Sequence, residues 1–266
     1  MSKKFGMSEK FRKFRVHLAE IQVKLASLQF NHISSLYQDP GSQEFSIGQD
    51  CQTGRGPWSS AIEYFNHRSD QALEIARAST YQGVCEDDSF TLPDLLKQLM
   101  GVYTNKTVGE RPFGLAHTNL GAHNILMNKK FEICALIDFD GLMAVPIEVQ
   151  AQFPCFIGLD PESPYQVETN PLASRQMEVV PARFAEYIKL IQEQEERIGR
   201  DLDLPVRLGE VMMSNAALIF KGLQDYKMHL LFLNQQWMDF YSQLSEYSLS
   251  GATKESDKNP KKPDGF

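Results

Sequence analysis

The sequence predicts an α+β fold that is mainly helical, with one small β-hairpin element set into the helical body. Three observations carry this expectation. Apolar residues recur three or four apart in at least five segments, which is the stripe of an amphipathic helix. Short apolar runs split by turn residues cluster between positions 113 and 139. Residues 248–266 hold almost no apolar side chains and many Lys, Asp, Ser and Pro, so they cannot repay the entropy of ordering and are expected to form a disordered tail.

The elements follow in order. From Phe11, apolar residues at Phe14, Leu18, Ile21, Leu25, Leu28, Ile33 and Leu36 predict one long helix. Asp39-Pro40-Gly41 ends it, because Pro cannot continue a helix and Gly takes positive φ. A short strand is expected over 45–48, then a polar, Gly-rich loop over 49–59. Ser60 with Glu63 three residues on reads as a capping box that opens a helix running to about Ala78. Thr91 caps a helix over 92–103, with Leu92, Leu95, Leu96 and Leu99 on one side. Strands are expected over 113–118, 124–127 and 131–139, split by a loop over 119–123 and a turn at Asn128-Lys129-Lys130. Helical patterning returns over 147–153, 181–198, 208–223 and from Tyr226 to about Tyr247. The domain reading is a basic segment over 1–15, one body over 16–247 and the tail.

Composition narrows the function classes. Apolar residues make up 42% of the 266, enough for a core, and charged residues 23%. The net charge of −7, with a pI near 5.4, argues against nucleic acid as a partner, which calls for a basic face. It suits an enzyme of cationic or neutral small molecules. Cys51, Cys85, Cys134 and Cys155 make no CxxC pair, so neither a zinc site nor a disulfide framework is expected. They read as buried free thiols of a reducing compartment. No apolar run approaches a membrane span, and no membrane partner is expected. The start is basic (Lys3, Lys4, Lys10, Arg12, Lys13, Arg15) without an apolar stretch, so it is no secretory signal. Glu9 and the scarcity of Ser argue against a mitochondrial presequence. The expected location is cytoplasmic.

The chemistry-bearing segment reads His117-Thr118-Asn119-Leu120-Gly121-Ala122-His123-Asn124-Ile125-Leu126, followed by Leu136-Ile137-Asp138-Phe139-Asp140-Gly141. It resembles the H-x-D-L-x-x-x-N catalytic loop of kinase-like phosphotransferases and the metal-binding aspartate of the strand that follows. The wording is most similar to the aminoglycoside phosphotransferase and choline kinase-like family, particularly its fungal members. The likeness covers about residues 16–245 and includes Phe45-Ser46-Ile47-Gly48, Gly56-Pro57-Trp58-Ser59-Ser60 and the stretch from Ala144 to Pro154.

The resemblance implies the C-terminal, helix-rich lobe of a protein-kinase-like fold and ATP-dependent transfer of a phosphoryl group to a small-molecule hydroxyl. It implies Mg²⁺ and ATP as cofactors, Asn124 and Asp138 as the metal ligands, and His117 as a brace under the loop. The catalytic base position falls on Asn119, where the family has Asp. A neutral amide does not take up a proton usefully, and a positioned base is worth about 10²–10⁴ in rate. A second departure is that only the short basic segment precedes the first helix, where the family carries a nucleotide-binding lobe. Gly54-Arg55-Gly56-Pro57 reads as a plain loop, since Pro57 lacks the N–H that a phosphate cradle uses. Weak ATP binding and a protein partner covering an apolar face are therefore expected, with a non-catalytic pseudokinase module as the alternative function.

Asp160, Glu162, Glu168 and Glu178 read first as a solvated acidic face and second as a wall that attracts amino groups of an acceptor. His123 is assigned loop packing alone. Trp237, Phe240, Tyr241 and Tyr247 read as core or groove wall, and Asn105-Lys106-Thr107 as a sequon without consequence.

Overall fold

A computed structural model describes residues 9–78, 113–154, 171–199 and 208–213. Helix α1 (Glu9–Ser27) packs along α4 (Pro171–Gly199), and α4 in turn contacts α5 (Leu208–Met212). The apolar stripe read from the sequence becomes the core here. Leu18, Ala19 and Val23 of α1 meet Tyr187, Ile188 and Ile191 of α4 and Leu208 and Met212 of α5. Leu18 and Ile191 are fully buried. Burial of such a side chain contributes about 1.5–3 kcal/mol relative to exposure.

Helix α1 is shorter than its sequence pattern implies. It stops at Ser27, where the Ser27 hydroxyl bonds back to the Lys24 carbonyl at 2.7 Å. Two short strands follow, β1 (Gln29–Phe30) and β2 (Ser34–Gln38). The gap of five between Leu28 and Ile33 is where the helical period breaks, and Ile33, Ser34 and Ser35 are buried by tertiary contacts instead. Asp39-Pro40-Gly41 is a turn as expected, but it joins β2 to β3 (Phe45–Ile47) and does not end a helix. The Asp39 carboxylate accepts from the main-chain N–H of Gly41 and of Ser42, both at 2.7 Å.

The described residues contain two antiparallel sheets rather than one small β element. The larger has five strands in the order β1-β4-β7-β2-β3, with β4 at Phe113–His117 and β7 at Leu142–Val145. Its centre is the β4–β7 pair, in register from Gly114 opposite Val145 to His117 opposite Leu142. Helix α2 (Ala61–Ala78) shares a second core with this sheet, built on Ile33, Tyr64, Phe65, Val145 and Val149. The capping box at its start is present in shifted form. The Ser60 hydroxyl accepts from the Glu63 N–H, whereas the Glu63 carboxylate reaches Ser59 rather than Ser60.

The smaller sheet is the hairpin of β5 (Ile125–Met127) and β6 (Ile133–Leu136). Its turn lies where Asn128-Lys129-Lys130 placed it, with Asn128 Oδ1 accepting from the N–H of Lys130 and of Glu132. Cys134 on this hairpin and Cys51 in the loop before α2 are both exposed, contrary to the expectation of buried thiols. Neither the edge of a two-stranded hairpin nor an open loop has a layer to cover them.

Two predicted helices are altered, and of a third, expected over 208–223, only the start lies within the described residues. The segment expected over 147–153 is helical only in α3 (Ile147–Gln150), because the Gln150 and Gln152 carbonyls turn to the Gln22 amide at 2.8 and 2.9 Å. Helix α4 begins at Pro171, ten residues before the expected start, and runs on through Pro181. Helix α5 is described from Leu208 to Met212, its first N–H groups capped by the buried Glu195 carboxylate. The helix expected over 92–103, the sequon, the last helix with Trp237, Phe240, Tyr241 and Tyr247, and the tail lie outside the described residues. So do Cys85, Cys155, Asp160, Glu162 and Glu168.

Candidate functional site

The loop between β4 and β5 starts at His117, the last residue of a central strand, and its geometry is set from both ends. The Thr118 hydroxyl donates to the Gly141 carbonyl at 2.9 Å, and the Thr118 N–H does so at 3.2 Å. A Cβ on Gly141 would lie 2.5 Å from the Thr118 hydroxyl, so this approach requires glycine. The Asn119 carbonyl accepts from the Gly121 N–H at 2.9 Å, and a 3₁₀ turn over Ala122–Asn124 delivers Asn124 to the start of β5.

Asn124 is the hinge of the arrangement. It is 3% exposed, and its amide donates to the Asn119 carbonyl at 2.9 Å and to Asp138 Oδ2 at 3.2 Å. Its own carbonyl accepts from the Ile137 N–H at 3.0 Å, which binds the loop to the residue before Asp138. With both amide hydrogens committed, Asn124 Oδ1 remains as a donor atom for a cation. Asp138 is exposed and sits in the left-handed region, φ 64° and ψ 59°, directly before a second 3₁₀ turn (Phe139–Gly141). Asp tolerates that conformation better than most residues, and non-glycine residues held there mark sites whose surroundings impose it.

His117 is tied to the residue before Asp138. It is 5% exposed, and its Nε2 lies 3.0 Å from the Ile137 carbonyl. A carbonyl only accepts, so Nε2 carries the hydrogen and Nδ1 presents a lone pair. That Nδ1 is buried and has no hydrogen-bond partner among the described residues. The Phe139 ring is tilted against the imidazole at a centroid distance of 5.6 Å.

The structure thus brings His117, Asn124 and Asp138 together, with the Asn119 main chain as part of the same network. The Asn119 side chain is exposed. His123 covers Gly121, where an added Cβ would meet its ring at 2.5 Å, in keeping with a packing role. Glu178 lies on α4, and the Gly54–Pro57 stretch is a loop tied down by Asp50.

Asn124 and Asp138 form a two-residue oxygen set. Among the described residues no group of three or more His, Cys, Asp or Glu gathers, so no all-protein cage is present there. A two-residue set matches the coordination habit of Mg²⁺, which keeps waters and takes one or two carboxylates together with phosphate oxygens. The described residues single out no adenine or phosphate cradle for ATP.

Beside this set the chain is apolar and open. Leu126 and Met127 of β5, with Ile137 and Phe139 flanking Asp138, are 39% to 50% exposed. Two further contacts escaped the sequence reading. The Cys51 thiol lies 3.4 Å from the Asp140 carbonyl, and no pattern relates residues so far apart. Gln22 is 8% exposed and joins α1 to α3 and α4, its Oε1 accepting from the Tyr187 hydroxyl at 2.9 Å. A polar residue four positions after Leu18, inside the apolar stripe, was the available signal. No helix among the described residues is long and apolar enough to cross a membrane. Comparison with protein-family models, with curated proteins and with solved structures finds no match to this chain.

Proposed function

We propose that the chain is a kinase-like small-molecule phosphotransferase module, in which the loop from His117 to Asn124 and the turn at Asp138 form the phosphate-side floor. The observation that supports this most directly is the Asn124–Asp138 pair, with one buried amide orienting both the loop carbonyl and the acidic side chain. A divalent cation held there supplies positive charge to the phosphates of a nucleotide such as ATP, the term on which phosphoryl transfer chiefly depends. The chain's own residues do the rest. Asn124 holds the loop closed on the hairpin, His117 fixes the Ile137 carbonyl beside Asp138, and Asn119 stands at the place for the acceptor hydroxyl.

Asn119 favours a second reading. Its amide orients a hydroxyl but takes no proton, so the same floor also suits a non-catalytic module that binds a metabolite or a protein partner. Titration of the full chain with Mn²⁺ in the presence of ATP, followed by electron paramagnetic resonance, tests the shared core of both readings. Saturable binding that Asp138→Ala abolishes is the expected result; binding indifferent to Asp138 overturns it. Phosphoryl transfer to a panel of alcohols under the same conditions then separates enzyme from binding module.

A further inference from the structure

The start of α1 touches the turn of the small hairpin. The Phe11 and Phe131 rings are tilted against each other at a centroid distance of 6.2 Å, yet they stay 50% and 37% exposed. Every residue from Phe11 to Lys13 and from Leu126 to Glu132 is exposed. The ring contact sets side by side two stretches that carry four cations, Arg12, Lys13, Lys129 and Lys130, on a chain whose net charge is −7. None of the four forms an ion pair with a carboxylate among the described residues. The carboxylate within the two stretches, Glu132, accepts from the Asn128 amide at 2.7 Å. Phe131 holds φ at 63°, the left-handed region, where a bulky side chain is strained and glycine is not. Turn geometry therefore gives no reason for phenylalanine there, and a bulky residue kept in that region points to a use for its side chain.

We propose that this basic, aromatic tip adsorbs to an anionic bilayer surface, with Arg12, Lys13, Lys129 and Lys130 against headgroup phosphates and the Phe11 and Phe131 rings entering the acyl boundary. Adsorption needs no spanning segment, so it is compatible with the absence of a long apolar helix among the described residues. Stable adsorption takes two signals, and here basic charge and apolar side chains supply them together. Acidic groups elsewhere on the chain oppose it only weakly, because charges more than about 8 Å from the contact are screened at physiological salt. An acidic peptide calls for a groove, whereas a turn exposed at every residue is convex. Single-stranded nucleic acid takes a charged groove with aromatic platforms. A tip whose further exposed apolar side chains are Leu126 and Met127 suits hydrocarbon better. The turn is the end of the hairpin away from Asn124 and Asp138, so the proposal stands whether or not the phosphotransfer reading does.

The test is co-sedimentation of the full chain with extruded phosphatidylcholine vesicles, with and without about 30 mol% phosphatidylserine. The expected result is saturable binding to the anionic vesicles alone, weakening as sodium chloride is raised. Lys129→Glu and Lys130→Glu together are expected to weaken it about tenfold or more. Phe131→Gly suits the backbone, so its melting transition should be retained while vesicle binding falls about fivefold or more. Should that variant not fold, the double charge variant, whose side chains are exposed, decides by itself. No vesicle binding, equal binding to neutral vesicles, or binding indifferent to these substitutions overturns the proposal. So does tighter binding to polyglutamate or to an oligodeoxythymidine than to the anionic vesicles.

Discussion

Asn124 and Asp138 are joined by one hydrogen bond of 3.2 Å, and the donor is an amide whose second hydrogen is held by the Asn119 carbonyl at 2.9 Å. A single buried side chain therefore sets the position of a loop backbone and of an exposed carboxylate together. Removing it should disturb both. Asn124→Ala is expected to lower stability by about 1–3 kcal/mol through two lost hydrogen bonds, and to weaken Mn²⁺ binding about tenfold or more. Urea unfolding and a metal titration on the same variant check the two effects.

On the proposed phosphotransferase reading, the sharpest change in rate is expected at Asn119. With nucleotide and metal held, Asn119→Asp restores a proton acceptor, and turnover is expected to rise by about 10²–10⁴. A coupled assay of nucleoside diphosphate release measures it. Activity that the substitution leaves unchanged or lowers would show that Asn119 does not occupy the base position.

Gln22 makes three hydrogen bonds inside the helical core. Gln22→Leu removes the bonds to the Tyr187 hydroxyl and to the Gln150 and Gln152 carbonyls, and is expected to cost about 2–5 kcal/mol. Tyr187→Phe removes one bond and should cost about 1 kcal/mol. Burial already pushes the Tyr187 phenol well above its ordinary titration range. Denaturant unfolding of both single variants and the double variant yields their coupling.

A pH effect is expected at His67. Its ring is stacked on Trp58 at a centroid distance of 4.9 Å, and its Nε2 is buried with no hydrogen-bond partner among the described residues. Burial lowers its pKa below 6.5, Arg55 and Arg68 lower it further, and Asp50 and Asp70 pull the other way. The folded pKa lies below the unfolded one, so the unfolded chain binds the proton more readily. The stability from neutral His67 is then complete above the unfolded value of 6.5 and is lost as pH falls through the folded value. Unfolding followed by Trp fluorescence should show a fall in stability on acidification that His67→Phe flattens.

The open apolar surface of Leu126, Met127, Ile137 and Phe139 should bind a hydrophobic dye and promote association. Leu126→Glu is expected to reduce both, as sedimentation at rising concentration would report. A clean monomer with no dye binding would remove the case for a partner on this face.

Local signals were legible where the cause is local. Ser60 and Glu63 mark the start of α2, Asn128 marks the hairpin turn, and the order of His117, Asn124 and Asp138 marks a loop between strands. The two clearest misreadings share a cause. Ile33 and Leu36 look like a continuing helical stripe, and Pro181 looks like a helix start, because period and punctuation are judged without knowing what lies alongside.

By itself the sequence determined which residue types stand at the loop: an imidazole, two amides and a carboxylate at spacings that a strand–loop–hairpin can bring to one point. It also determined the apolar stripe of α1 and α4, since a 3.6-residue period needs only neighbours in the chain. Tertiary structure alone decided that 34–38 is a strand, because β2 exists through its pairing with β3 and β7. It alone decided that Gln22 is buried, that Asp138 takes a left-handed conformation, and that His117 Nδ1 meets no donor among the described residues. Each of these depends on atoms contributed by segments far apart in sequence, and hydrogen-bond satisfaction is settled only when those segments meet.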